Sequence, residues 1–368
     1  MRILFITPWY PTASRPVAGV FVQRDAQLMD AHHEVEVVHL VDPALLTGSD
    51  VIDGVEAGLR VHRIPMKRND PLAPIRVWRA LRPMIERADV IHSHAFQSLL
   101  PFAGHRVKRP WVHSEHWSGV ANPNAFNAQG RLIFALTARL LRRPDMVTAV
   151  SSFLLDRVRE HRRGPTMIVP SVVLPAEARP AEHSSERLRL VTVANLVEGK
   201  DPLLAIDTVR ELRSRGIPAE LRWVGEGPMR PAIEERVKAD SGVTLLGALG
   251  RDGVSAELDA AEIFLLPTRS ETLCLSAIES ISHGRPVVMG AVGGQRDYVN
   301  SSNGILVTER TADAYADAVS DIASSFDRFR ADDVAATVHG RFAPERVRTL
   351  YETAYAAASA QHRKAGSR

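Results

Sequence analysis

The first half of the chain alternates short apolar runs with longer stretches of helical periodicity. Strands are expected at 2–7, 34–41, 59–64, 89–94, 111–114 and 145–150, and helices at 19–31, 72–87, 131–142 and 153–161. Apolar runs of four to eight residues, separated by helices of ten or more, are the pattern of βαβ units and a parallel sheet. The order breaks at Pro170, Pro175 and Pro180, which with Ser184 and Ser185 form a polar linker without apolar period. A second alternation follows. Its strands are expected at 188–194, 220–224, 243–246, 263–267, 286–289 and 304–307, and its helices at 202–215, 229–239, 273–283, 312–325 and 345–358. No sequence period of 20–50 residues joins the halves, so they share architecture only. The fold class read from this is α/β: two doubly wound, Rossmann-like domains facing each other across a cleft. Such sheets bind ligands beyond the carboxyl ends of their strands.

Composition narrows the picture. The chain has 368 residues, 45% apolar and 24% charged, which is average for a globular protein and enough for two cores. One cysteine, Cys274, excludes an intramolecular disulfide and points to a reducing compartment. No run approaches the roughly 20 apolar residues of a spanning helix, and the amino end lacks a signal-peptide pattern. The expectation is a cytoplasmic protein, or one on the cytoplasmic face of a membrane. Charge is uneven. Residues 1–180 carry 23 Lys and Arg against 16 Asp and Glu, whereas residues 181–368 carry 23 against 27. Two domains with different partners follow from this. The basic residues are dispersed and form no recognition motif, so nucleic acid is not expected as a partner.

The segment with most chemistry is Ser270-Glu271-Thr272-Leu273-Cys274-Leu275-Ser276-Ala277-Ile278-Glu279, continuing to His283-Gly284-Arg285-Pro286-Val287-Val288. Glu271 falls in the loop after the strand at 263–267, and Glu279 about a turn and a half into the next helix. The backbone N–H groups that open this helix, near Leu273 to Leu275, favour an anion. Carboxylates on either side of an anion site suit a ligand that also carries hydroxyl groups, for which an ionised carboxylate is an acceptor.

Glu271-x7-Glu279, Gly284-x-Pro286-Val287-Val288, Gly293-Gly294 and Asn303-Gly304-Ile305-Leu306-Val307 together resemble the donor-site signature of glycosyltransferase family 4. Val224-Gly225-Glu226-Gly227-Pro228, Ser151 and Phe342-x8-Leu350-Tyr351 extend the resemblance over almost the whole chain. It implies a GT-B fold with an acceptor-binding domain over 1–175, a nucleotide-sugar domain over 186–342, and a C-terminal helix, 343–368, returning to the first domain. It also implies that Glu271 contacts the donor sugar and Glu279 the ribose hydroxyls, and that transfer proceeds with retention at the anomeric carbon. No cofactor is implied, the nucleoside-diphosphate sugar being a co-substrate, and no metal requirement.

Lys200 closes a strand-to-helix loop at the head of the second domain, where a compact cation neutralises a leaving diphosphate. The family has Gly and Arg where this chain has Ala194 and Asn195; Asn195 still donates a hydrogen bond but brings no charge. Thr272, Leu273 and Cys274 replace the family's Gly-Phe-Gly, so donor binding through the N–H groups of 272–275 requires the Leu273 and Cys274 side chains to point away. Cys274 reads as a small buried hydrophobe. In the first domain Gly19 opens the first helix and lets backbone approach a phosphate or sugar. Ile91-His92-Ser93-His94 and His113-Ser114-Glu115-His116 end two strands. The resemblance places His116 at the reacting centre and His94 beside it on the acceptor side, while strand alternation puts His92 and His94 on one face.

The expected partners are a nucleotide-sugar donor and an acceptor that is a cell-envelope or lipid-linked glycan or a small natural product. Residues 60–109 hold 11 Lys and Arg against 3 Asp and Glu, and 75–82 and 132–143 mix arginine with aliphatics. A peripheral membrane contact through this basic region stays open. Two alternatives share the architecture: a nucleotide-sugar epimerase, and a nucleotide-sugar-binding protein without activity, motivated by Asn195 and the 272–274 departures. Gly225-x-Gly227 lacks the third glycine of a dinucleotide fingerprint and follows a second strand. His92, His94, His113 and His116 come without the paired acids of a magnesium–diphosphate site.

Overall fold

The structure, a computed structural model, describes residues 1–67, 70–122, 127–181, 187–237 and 242–366. Ser184 and Ser185 of the expected linker lie outside them. The chain divides into two compact units, Met1–Val172 with Pro344–Arg368, and Val173–Ala343.

The first unit is built on β1 (Arg2–Thr7), β2 (Glu34–Val41), β3 (Asp53–Glu56), β4 (Leu59–Pro65), β5 (Val90–His94), β6 (Trp111–Glu115), β7 (Met146–Ala149) and β8 (Thr166–Ile168). They form one sheet in the order β3-β4-β2-β1-β5-β6-β7-β8, parallel except for β3. The helices α1 (Val20–Asp30), α2 (Ala73–Arg87), α3 (Ser118–Ala121), α4 (Ala128–Thr137) and α5 (Ser152–His161) connect them. The central strands are buried along nearly their whole length, as strands covered on both faces must be. The β3–β4 hairpin was not anticipated. Asp53-Gly54-Val55-Glu56 is polar and sits at a sheet edge, and its turn needs positive φ at both Ala57 and Gly58. The helix expected over 131–142 starts earlier: α4 is capped by Asn127, whose side chain accepts from Gly130 N, and gives way to a 3-10 segment at Ala138–Arg142.

The C-terminal helix Pro344–Gly366 belongs to this unit and packs on α1, β6 and β7. Val347, Tyr351, Ala354, Tyr355 and Ala358 are its buried stripe at helical spacing. Burial of each large apolar side chain contributes roughly 1.5–3 kcal/mol relative to exposure. Two of its tyrosines also reach polar atoms inside the unit: Tyr351 Oη donates to Asp25 Oδ2 at 2.8 Å, and Tyr355 Oη pairs with His92 Nδ1 at 2.8 Å.

The second unit has β9 (Leu188–Val193), β10 (Ala219–Val224), β11 (Val243–Gly247), β12 (Ile263–Leu266), β13 (Val287–Gly290) and β14 (Gly304–Val307), all parallel, in the order β11-β10-β9-β12-β13-β14. Its helices are α6 (Pro202–Ser214), α7 (Arg230–Arg236), α8 (Arg251–Ala260), α9 (Leu275–Ser282), α10 (Ala312–Ala323) and α11 (Ala331–Ala336). α8 and α11 had no clear apolar period and were not anticipated. The last residues of the helix expected at 229–239 lie outside the described residues. α9 starts two residues later than expected because Cys274 adopts φ 70°, which an α-helix cannot include. Glu279 is therefore only one turn into the helix, and half-buried.

Each sheet reverses direction once, between β1 and β5 in the first unit and between β9 and β12 in the second. Loops diverge at such a point and leave a crevice beyond the strand ends.

Candidate active site

In the second unit the loops leaving β9 and β12 meet at the switch point. The β9 loop runs through a 3-10 turn, Glu198–Lys200, into α6, whose Pro202 sits at the first helical position. The β12 loop runs from Pro267 to Cys274. Several contacts tie them together: Arg269 N donates to Gly199 O at 2.8 Å, Thr268 Oγ1 donates to the same oxygen at 3.0 Å, and the buried Asp201 carboxylate accepts from Arg269 Nε at 3.1 Å and also from Arg310, beyond β14. A carboxylate shared by two guanidinium groups holds the turn that presents Lys200. Nothing in the local pattern marked Asp201, Arg269 or Arg310; the available signal was an acid directly before the proline of a helix start.

Lys200 Nζ pairs with the Glu271 carboxylate across 71 residues of sequence. Burial pushes the Lys200 ammonium towards its neutral form, but attraction from Glu271 outweighs it and the pKa is raised. The lysine is thus a cation held in place. Glu271 is fixed from behind as well: its N–H donates to Val292 O at 3.2 Å and its carbonyl accepts from Gly294 N at 3.2 Å. Gly293, at φ 124°, lies so close that a Cβ there would overlap the Glu271 carbonyl oxygen. Only glycine fits.

Leu273 and Cys274 are buried, and the Cys274 Sγ stays beside the first turn of α9, 3.6 Å from Ser276 Oγ. Tyr298 Oη donates to Leu273 O at 2.7 Å and holds the turn that leads into Leu275. Burial pushes the Cys274 thiol up to about 12, which makes it an inert hydrophobe. Glu279 lies one turn after Leu275, on the same side of α9. Asn195 is exposed on the β9 loop. That loop lies against Gly225-Glu226-Gly227: a Cβ at Gly225 would overlap Ala194 O, and one at Gly227 would overlap Leu196 O. The two glycines exist for this close backbone approach.

The strand ends of the first unit carry the histidines. His92 has both nitrogens occupied, Nδ1 by Tyr355 and Nε2 by Ser114 Oγ at 2.7 Å, and is structural. His113 is likewise held, by Ser93 Oγ at 2.9 Å and Glu115 Oε2 at 3.2 Å. Glu115 is fully buried and engaged on both oxygens, its Oε1 accepting the N–H groups of His116 (2.9 Å) and Trp117 (2.8 Å). It shapes the loop. His94 and His116 come together, His94 Nδ1 lying 3.3 Å from His116 Nε2 with the rings stacked. Burial, reinforced by the neighbouring imidazoles, drives both pKa values down, that of His116 to about 3, so both are neutral. Phe21 of α1 packs on His116 with ring centroids 4.9 Å apart. Gly19 opens α1 at φ 72°, and a Cβ there would collide with the backbone of Trp9 and Tyr10. The fold therefore requires this glycine independently of any ligand.

Among the described residues, the metal-type ligands that gather are Asp25, His94 and His116, with one ligand atom from each within 4.8 Å of the others. His92 and His113 take no part. Asp25 was overlooked, although its signal was present: it interrupts the apolar stripe of α1 formed by Val22, Ala26 and Met29.

A cation paired with a carboxylate at a switch point, beside a helix start, can hold a diphosphate that carries a polyol. Together with a second α/β unit, this is compatible with a glycosyltransferase that uses nucleoside-diphosphate sugars, the class to which comparison with known proteins assigns the chain. Residues 18–175 match the family profile described as "Glycosyl transferase 4-like domain", and residues 187–325 match "Glycosyl transferases group 1". The chain belongs to glycosyltransferase family 4, with the GT-B fold. It is 26% identical to the 2-deoxystreptamine N-acetyl-D-glucosaminyltransferase of Streptomyces fradiae, over 96% of each chain. It is 24% identical to a putative teichuronic acid biosynthesis glycosyltransferase of Bacillus subtilis, over 87% of this chain and 88% of that one. Among solved structures, the Anabaena protein HepE in complex with UDP and glucose superposes with a TM-score of 0.74 at 16% identity, over 96% of this chain and 98% of that one.

Proposed function

We propose that this protein transfers a sugar from a nucleoside diphosphate to an acceptor hydroxyl with retention of configuration. The observation that carries the reading is the Lys200–Glu271 pair, which puts a fixed cation and a fixed acceptor at the start of α9. Lys200 and the first N–H groups of α9 hold the diphosphate and stabilise the charge that develops on it. Glu271 binds hydroxyls of the sugar, Glu279 those of the ribose, and Asn195 donates to the diphosphate in place of the family's arginine. His116, with His94 behind it, orients the sugar and the acceptor. Retention follows if the acceptor attacks on the face the diphosphate leaves, with the departing diphosphate taking the acceptor proton. Glu115, within the histidine loop, is fully buried and held on both oxygens, which favours this course over a glycosyl-enzyme intermediate. Proton NMR of freshly formed product reads the anomeric configuration directly, and an inverted product would overturn the reading.

For the acceptor, the surface of the first unit favours a lipid-linked or cell-envelope glycan. Leu132 and Leu136 of α4 are 61% and 63% exposed, Ile133 is exposed with them, and Arg131 and Arg139 flank the group. An apolar stripe edged with arginine suits an anionic membrane surface. A small natural-product acceptor is the second reading, favoured by the full-length similarity to the Streptomyces fradiae enzyme. Sedimentation with phosphatidylglycerol vesicles, lost in Leu132→Asp/Leu136→Asp, supports the first; no sedimentation supports the second.

A further inference from the structure

Asp25 lies on the buried face of α1, fully sealed, at a position where the helical period calls for an apolar residue. An isolated carboxylate is costly there unless it is protonated or paired. The groups that face it are Tyr351 and Tyr355 from the C-terminal helix, His94 from β5, His116 from the loop after β6 and the Val172 backbone N–H, with Arg24 on its own helix. Tyr351 satisfies Oδ2, while Oδ1 has no partner. His94 has the complementary vacancy: Nδ1 is engaged with His116, and Nε2 is buried without a partner. A carboxyl oxygen and an imidazole nitrogen are thus left over on two residues of one cluster, and one water or a small side-chain rotation would join them. His116 Nε2 is used inside the cluster, which leaves Nδ1 as the ring nitrogen available to a ligand.

We propose that Asp25 is a positioning residue that sets the tautomers of His94 and His116, and so decides whether His116 Nδ1 offers a proton or a lone pair. With Asp25 protonated, its hydroxyl donates to His94 Nε2, His94 Nδ1–H donates to His116 Nε2, and His116 Nδ1 carries a proton. With Asp25 ionised, His94 Nε2–H donates to the carboxylate, His116 Nε2–H donates to His94 Nδ1, and Nδ1 of His116 is a lone pair. The two states differ by one proton, which leaves or enters at His116 Nδ1 while each inner proton moves one site. Burial pushes the Asp25 carboxyl up to about 7, against weaker pulls from Tyr351, Val172 and Arg24, so both states are accessible at neutral pH.

The proposal rests on the reading of His116 as the acceptor-side histidine, but its main test does not. The full chain, labelled with 15N-histidine, is followed by long-range 1H–15N spectra between pH 5.5 and 8.5. Expected is a joint exchange of tautomer at His94 and His116 with a midpoint near neutrality. It should be absent in Asp25→Asn and retained with a moved midpoint in Asp25→Glu. The transfer rate should lose a limb of its pH profile in Asp25→Asn, while nucleoside-diphosphate affinity, measured by calorimetry, changes less than about two-fold. One unchanging tautomer in the unmodified protein overturns the proposal, as does zinc retained at one equivalent per chain after dialysis. A joint exchange together with unaltered transfer by His116→Ala upholds the relay and sinks the acceptor-side reading.

Discussion

Replacing Lys200 by methionine tests the donor site most directly, because it removes one charge and keeps most of the side-chain volume. The Lys200 side chain is 25% exposed and that of Glu271 only 7%, so the deletion leaves a nearly buried carboxylate without its cation. Breaking a fully buried pair in this way costs about 3–5 kcal/mol. The partial exposure of the lysine lets water replace some of that, and a loss of about 2 kcal/mol is expected from urea titration at unchanged slope. Catalysis loses more. Removing a preorganised charge aimed at a leaving group typically lowers turnover by about 10²–10³, or roughly 2.7–4 kcal/mol. The two effects separate in the double variant Lys200→Met/Glu271→Gln, which neutralises the stranded acid. Its stability should return towards that of the unmodified protein while its turnover stays low. Turnover of Lys200→Met within about three-fold of the parent, in a folded protein, would refute the assignment of Lys200 to the leaving diphosphate.

Gly293→Ala drives a methyl group into the Glu271 carbonyl at a φ that disfavours alanine, and should cost at least about 2 kcal/mol and weaken sugar-nucleotide affinity more than affinity for the bare nucleotide; calorimetry with both ligands checks this. Cys274, with its thiol pushed up to about 12, should resist iodoacetamide at pH 8 for hours in the native protein and react within minutes in 6 M guanidinium; rapid native alkylation, followed by mass spectrometry, would contradict its burial. The Asp25 carboxyl, raised from 3.8 to about 7, keeps its proton in the folded state while the unfolded chain has lost it, so its contribution to stability falls as pH rises from about 4 to 7. Asp25→Asn lacks this loss, and the stability of the variant relative to the parent should grow across that window by up to about 4 kcal/mol at roughly 1.36 kcal/mol per unit; a difference independent of pH in denaturant titrations would rule it out.

Most of the sheet strands could be placed from local pattern alone, because a strand buried on both faces is mostly apolar wherever it lies in the sheet, the polar ends of β5 and β6 excepted. The ends of β1, β2 and β14 fall where the apolar runs end. Glu271, Glu279 and Lys200 stood out for a similar reason: they are charged residues in loops and helix starts that follow apolar strands. What the pattern could not contain is the geometry of pairs. Lys200 meets Glu271 only because β9 and β12 are neighbours in a sheet whose order the sequence does not spell out. Cys274 looked like an ordinary helix residue, and only the fixed path of the β12 loop forces it to positive φ and delays α9. Asp25 is the clearest case. Its spacing matched an apolar stripe and its identity did not, and it is met by a tyrosine 326 residues away and by histidines from β5 and from the loop after β6. Hydrophobic periodicity is a local property and survives in one dimension, whereas the state of a buried charge depends on every group brought against it.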